Sequence, residues 1–116
     1  MAQLGQLKAV RGKLTMSKQV FNAVAENKHV DLRALLGQQS DPNHQNEYGI
    51  TPLMVAAKSG HELCLDVLLE FGADPNMTSV TGLTALYLAS ANGHQRCVDL
   101  LMVAGAKSSF HDAAGE

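Results

Sequence analysis

Apolar residues recur along the middle of this chain at helical spacing, in short runs separated by glycine. Leu53, Ala56 and Ala57 stand at i, i+3 and i+4, and Leu65, Leu68 and Leu69 repeat that spacing. Each set makes one apolar face on a helix. Thr51 offers a side-chain oxygen to cap the first helix, and Pro52 follows at the position where a missing N–H costs nothing. Gly60 ends that helix, because a positive φ is cheap only for glycine. The second helix starts near His61 and stops at Gly72, where Asp74-Pro75-Asn76 begins a turn. The residues from there to Gly82 are too polar for a core. They suit an extended turn or hairpin, with Gly82 taking the strained dihedral.

The pattern then repeats at an offset of 33 residues. Eleven of the 28 positions in 49–76 and 82–109 are identical without a gap: Gly49/Gly82, Thr51/Thr84, Leu53/Leu86, Ala56/Ala89, Gly60/Gly93, His61/His94, Cys64/Cys97, Asp66/Asp99, Leu68/Leu101, Gly72/Gly105 and Ala73/Ala106. A second step of 33 back from 49–76 finds a weaker copy, with Ala23, Leu32, Leu35, Leu36, Asp41, Pro42 and Asn43 under Ala56, Leu65, Leu68, Leu69, Asp74, Pro75 and Asn76. Asn27 falls at the Gly60 position, and asparagine is the next best residue for positive φ. Helices of about eight to eleven residues are marginal alone. Each pair exposes apolar surface on both broad sides, so each unit needs its neighbours.

Composition narrows the picture. The chain has 116 residues, the size of one domain, and its 46% hydrophobic content suffices for a packed core. The net charge of −2 argues against a nucleic-acid partner. No apolar run is long enough to cross a membrane, and no secretory segment opens the chain. Two cysteines do not make a disulfide scaffold, which points to a reducing intracellular setting, cytoplasmic or nuclear. The charge is uneven: Lys8, Arg11, Lys13 and Lys18 precede every acid, and the remainder is acidic. The leader over 1–16 is weakly amphipathic through Leu4, Leu7, Val10 and Leu14, while Gly5 and Gly12 weaken a helix there. It is compatible with a mitochondrial presequence, with a helical arm capping the first unit, or with a tail.

These residues resemble the ankyrin repeat family. The likeness rests on the 33-residue period, the TPLM tetrad Thr51–Met54 against the family's TPLH, the pairs Gly60–His61 and Gly93–His94, and GADPN at 72–76. It implies an all-α solenoid of about three stacked helix–turn–helix units with β-hairpin fingers, over 17–109: a cap-like unit at 17–45, then 46–78 and 79–109. It also implies a non-catalytic module that binds another protein or peptide. Met54 and Tyr87 replace the tetrad histidine that braces neighbouring repeats in the family, so apolar packing must stand in for it. Asn43 and Asn76, which close the DPN turns, are by this resemblance structural links to the following finger, and also candidates for asparaginyl hydroxylation. Asp112-Ala113-Ala114-Gly115 in the tail over 110–116 fits the start of a further unit, so the chain reads as a segment of a longer protein.

Candidate chemistry is sparse. Cys64 and Cys97, related by the repeat, should stand roughly 8–10 Å apart, beyond the about 7 Å a disulfide tolerates. They read as core. His61 and His94 are separated by the same offset, too far to share a metal at about 2.1 Å, and read as local hydrogen-bonding groups between the two helices. The pair His61 and Cys64 recurs as His94 and Cys97, and a repeated pair points to scaffold rather than to a catalytic centre. No phosphate-binding glycine motif occurs, so no cofactor or metal is expected. Glu47, Glu62, Asp66, Glu70, Asp74 and Asp99 form a solvated acidic face that would suit a basic partner.

A solenoid presents a concave face of finger tips and inner-helix residues. The positions free of packing duty are Glu47, Tyr48, Ile50, Lys58 and Ser59 in the second unit, and Val80, Thr81, Leu83, Ala91 and Asn92 in the third. Tyr48 is the natural anchor, as a rigid aromatic at a finger tip, although it and Ile50 would equally serve to pack finger on finger. The expected molecule is a monomeric interaction module, with a regulatory segment of a larger enzyme or channel, or a structural spacer, as the alternatives.

Overall fold

Residues 16–106 are described by a computed structural model of the chain. Residues 1–15 of the leader over 1–16, and the tail with Asp112–Gly115, on which the targeting and further-unit expectations rest, lie outside them. Helix α1 covers residues 16–25. It is followed by α2 (His29–Gly37), α3 (Pro52–Ser59), α4 (Glu62–Glu70), α5 (Ala85–Ala91) and α6 (Gln95–Val103). The outer helices α2, α4 and α6 begin at a strict spacing of 33, as the sequence repeat requires.

The inner helices start where a threonine caps them. Thr51 Oγ1 accepts from Met54 N at 3.2 Å and Thr84 Oγ1 from Tyr87 N at 3.1 Å. Gly60 closes α3 at φ 76, and Asn27 occupies the same place in the first unit at φ 58. Gln39 was not anticipated: it holds φ 67 where the other units place Gly72 and Gly105.

Packing then propagates along the stack. Inner helix α3 contacts α5, outer α4 contacts both α2 and α6, and α3 and α5 pack on their own outer partners α4 and α6. Ala56, Ala57 and Ala89 are fully buried, and such small residues let inner helices approach closely. Met54, in the tetrad-histidine position, is 1% exposed, so its thioether packs in the core. Leu65 and Leu68 are buried on α4. On α2 the buried pair is Leu32 and Leu36, with Leu35 only half-buried. The stripe has rotated in the first described unit.

The fingers carry no strand among the described residues, so the hairpin expectation is reduced to a turn. In the first finger Asn46 N donates to Ile50 O (3.0 Å) and Gly49 N to Asn46 O (2.8 Å). The second repeats this with Ser79 N to Leu83 O (2.9 Å) and Gly82 N to Ser79 O (2.9 Å). Side chains take the amides that would otherwise form a ladder. Asn46 Oδ1 accepts from Tyr48 N and Ile50 N, and Ser79 Oγ accepts from Thr81 N and Leu83 N.

Candidate protein-interaction surface

The finger tips are fixed before anything binds them. Val80 N donates to Tyr48 O at 3.0 Å, joining one finger to the next. Gln45 Nε2 bridges Gly49 O and Thr78 O, both at 3.0 Å. Between them stand Tyr48, 63% exposed, and Val80, 72% exposed. Two large apolar side chains are therefore held in water by a stiff backbone.

The other expected contact residues divide. Glu47, Thr81, Lys58, Ser59, Ala91 and Asn92 are exposed. Ile50 and Leu83 are half-buried, and Ile50 packs against the core. Those two support the fingers from beneath, because their backbone closes the turn and turns their side chains inward. Asn92 also has a local duty, with Nδ2 donating to Leu88 O at 2.7 Å at the end of α5.

Behind the fingers, the DPN asparagines tie units together. Asn43 Nδ2 donates to Gly72 O (3.3 Å) and its Oδ1 accepts from Asp74 N (2.7 Å). Asn76 Nδ2 donates to Gly105 O at 3.1 Å. The link runs to the next unit's turn rather than to the following finger. As sites for hydroxylation, both residues sit with their amides engaged in these bonds.

The histidine expectation needs correction. Neither His61 nor His94 caps its outer helix through a side chain. The His94 ring crosses to the preceding unit, with Nε2 3.0 Å from Lys58 O. It lies against Gly60, where a side chain would collide with it. The unit before His61 carries Asn27 instead of glycine at that place, and His61 forms no matching bond. Asn27 Oδ1 instead lies 3.7 Å from Cys64 Sγ, which donates to it.

Cys64 and Cys97 are buried free thiols. Burial raises both thiol pKa values, and Glu62 adds to the effect at Cys97. That suppresses the thiolate on which nucleophilic or metal chemistry depends. Among the described residues no group of three His, Cys, Asp or Glu could hold a metal ion.

The outer helices are linked by charge. Arg33 meets Glu70 in a two-point contact of 2.6 and 3.0 Å, and Arg96 meets Glu62 at 3.2 Å. The Arg33 hydrogen bond holds the Glu70 carboxyl below its ordinary range and raises the Arg33 guanidinium in turn. Arg33 also lies 5.9 Å from the centre of the Phe71 ring. Glu62 and Glu70 of the acidic face are thus partly neutralised by this chain's own arginines. The inter-unit contacts of Gln45, His94 and these arginines were missed by sequence reasoning, since each reaches a residue some 30 or more positions away.

Among the described residues no helix is long and apolar enough to cross a membrane. No curated protein matches the chain. The family model for ankyrin repeats (3 copies) matches residues 20–112. As a class, these repeats are protein–protein interaction modules and typically non-catalytic. A match over most of the chain, at the same period that spaces its helices, shows that the protein belongs to the ankyrin repeat family.

Proposed function

We propose that this protein binds another protein or peptide through its finger tips and the exposed ends of its inner helices, and that it makes or breaks no bond in doing so. One observation supports this above the rest: Tyr48 and Val80 are exposed yet joined by a backbone hydrogen bond. Exposed apolar groups on a preorganised backbone lose little entropy on binding, which is where interface anchors gain. Glu47, Thr81, Lys58, Ser59, Ala91 and Asn92 supply the polar surround. Ile50 and Leu83 hold the tips in place.

The test compares proteins captured by the wild type with those captured by a Tyr48→Ala, Val80→Ser, Lys58→Glu variant. Leu63→Ser, on the exposed side of α4, is the control. A partner lost with the triple variant, retained with the control, and weakened by about 2 kcal/mol or more from Tyr48→Ala alone carries the reading. A partner lost only with Leu63→Ser would move the interface to the outer helices.

A further inference from the structure

Positions 25, 58 and 91 are one place in the repeat, in the last turn of the three inner helices. Ala25 and Ala91 occupy it on either side of Lys58, and all three residues are exposed. A cation near a helix C-terminus is favoured by the helix dipole, typically by about 0.3–1 kcal/mol. The alanines show that the neighbouring inner helices form without that help. Stability of the fold therefore does not account for the lysine.

An ion pair within the chain does not account for it either. Lys28, Arg33 and Arg96 lie 3.0, 2.6 and 3.2 Å from Glu26, Glu70 and Glu62. Lys58, in the middle unit, forms no ion pair among the described residues. Its backbone is nonetheless held from the next unit, where His94 Nε2 donates to Lys58 O at 3.0 Å. A free ammonium group thus projects from a fixed base, with only a methyl group at the same position on each neighbouring helix.

The surroundings define what would meet it. Val55 and Leu88 stand three residues before Lys58 and Ala91, on the same helix faces. Both are half-buried and pack against the core, so the floor beside the cation is apolar. A carboxylate seated there would give up water in part and gain a charge-assisted hydrogen bond. The acids of the chain leave this place open. Glu62, Asp66 and Glu70 belong to α4 and Asp99 to α6, which are outer helices. Glu47, exposed beside Tyr48, puts negative charge at the finger tip, which directs an anion away from the tip and toward the inner helices. On the interaction surface proposed above, on which this inference rests, we propose that the partner is a peptide segment presenting a carboxylate side chain to Lys58 and an apolar neighbour to Val55 and Leu88.

The full chain is used to select binders from a displayed library of random peptides, and the selected peptides are titrated in solution. They should share an acidic residue. Lys58→Gln should weaken them about tenfold, the scale of a hydrogen bond between charged groups, without changing the melting temperature, and added salt should weaken the wild-type complex. Lys58→Glu should lose these peptides and bind instead their counterparts with lysine at the acidic position, an exchange that damage to the fold would not produce. Peptides that Tyr48→Ala weakens but that lack a shared acid, or that bind Lys58→Gln as they bind the wild type, overturn the carboxylate and leave the surface standing. Peptides indifferent to Tyr48→Ala, or a selection that yields no binder, overturn both.

Discussion

Gly60 is held by two separate constraints. Its φ of 76 is unfavourable for any residue with a Cβ, and a Cβ there would lie 2.6 Å from His94 Nδ1. Gly72 has φ 92 but open space around its missing side chain. Gly72→Ala should therefore cost about 1–2 kcal/mol from backbone strain alone, and Gly60→Ala clearly more. In a double-mutant cycle, His94→Ala should recover the excess at Gly60 and nothing at Gly72. Equal losses in thermal melts would show that the ring moves aside freely. Core residues follow a simpler rule. Leu68 is fully buried on α4, so Leu68→Ala should destabilise by about 2–5 kcal/mol. A loss below about 1 kcal/mol would contradict its placement in the core. The buried thiols Cys64 and Cys97, with pKa values raised by burial, should resist alkylation in the native protein and become reactive as denaturant unfolds it.

Helices communicate here through contacts that the sequence hides. The two helices of each unit were legible, because Thr51, Pro52 and Gly60 act on neighbours within four residues, and the 33-residue period lines the units up. The inter-unit braces were not. His94 to Lys58, Asn43 to Gly72 and Gln45 to Thr78 span 36, 29 and 33 positions. Nothing local in a histidine or glutamine marks such a target. The finger tips were read correctly as exposed at Tyr48 and Val80, but half-burial of Ile50 and Leu83 depends on how each turn closes. The Arg33–Glu70 link between α2 and α4 yields a signed prediction. Arg33 lowers the folded carboxyl pKa of Glu70, so the stability it gives is present above the unfolded carboxyl value, about 4.3, and is lost as pH falls through the lower folded value. Melting temperatures of the wild type and Glu70→Gln should differ at pH 7 and converge toward about pH 2–3. Both groups are exposed, so added salt should shrink the gap at pH 7. A gap that persists at low pH would show that the ion pair is not its source.

The stack as a whole gives identical positions different burdens. Met54 is 1% exposed in the second unit, whereas Tyr87, one period later, is 39% exposed. Leu69 packs against the core, but its counterpart Met102 is half in solvent, and Val103 beside it is 89% exposed. What differs is whether another described unit packs beyond them. Stability in such an array is close to a sum of unit and interface terms, so the second unit, with an interface on each side, should be the hardest to open. Leu69→Gln should cost about 1–2 kcal/mol, from lost apolar burial. Met102→Gln should stay within about 0.5 kcal/mol, as exposed substitutions do. Native-state hydrogen exchange should rank the same way, with amides of α3 and α4 exchanging more slowly than those of α5 and α6, because the second unit has a described unit packed on each side. Uniform protection across α3 to α6 would mean that the units open as one block. The contrast between Leu69 and Met102 would then have to come from their side chains alone.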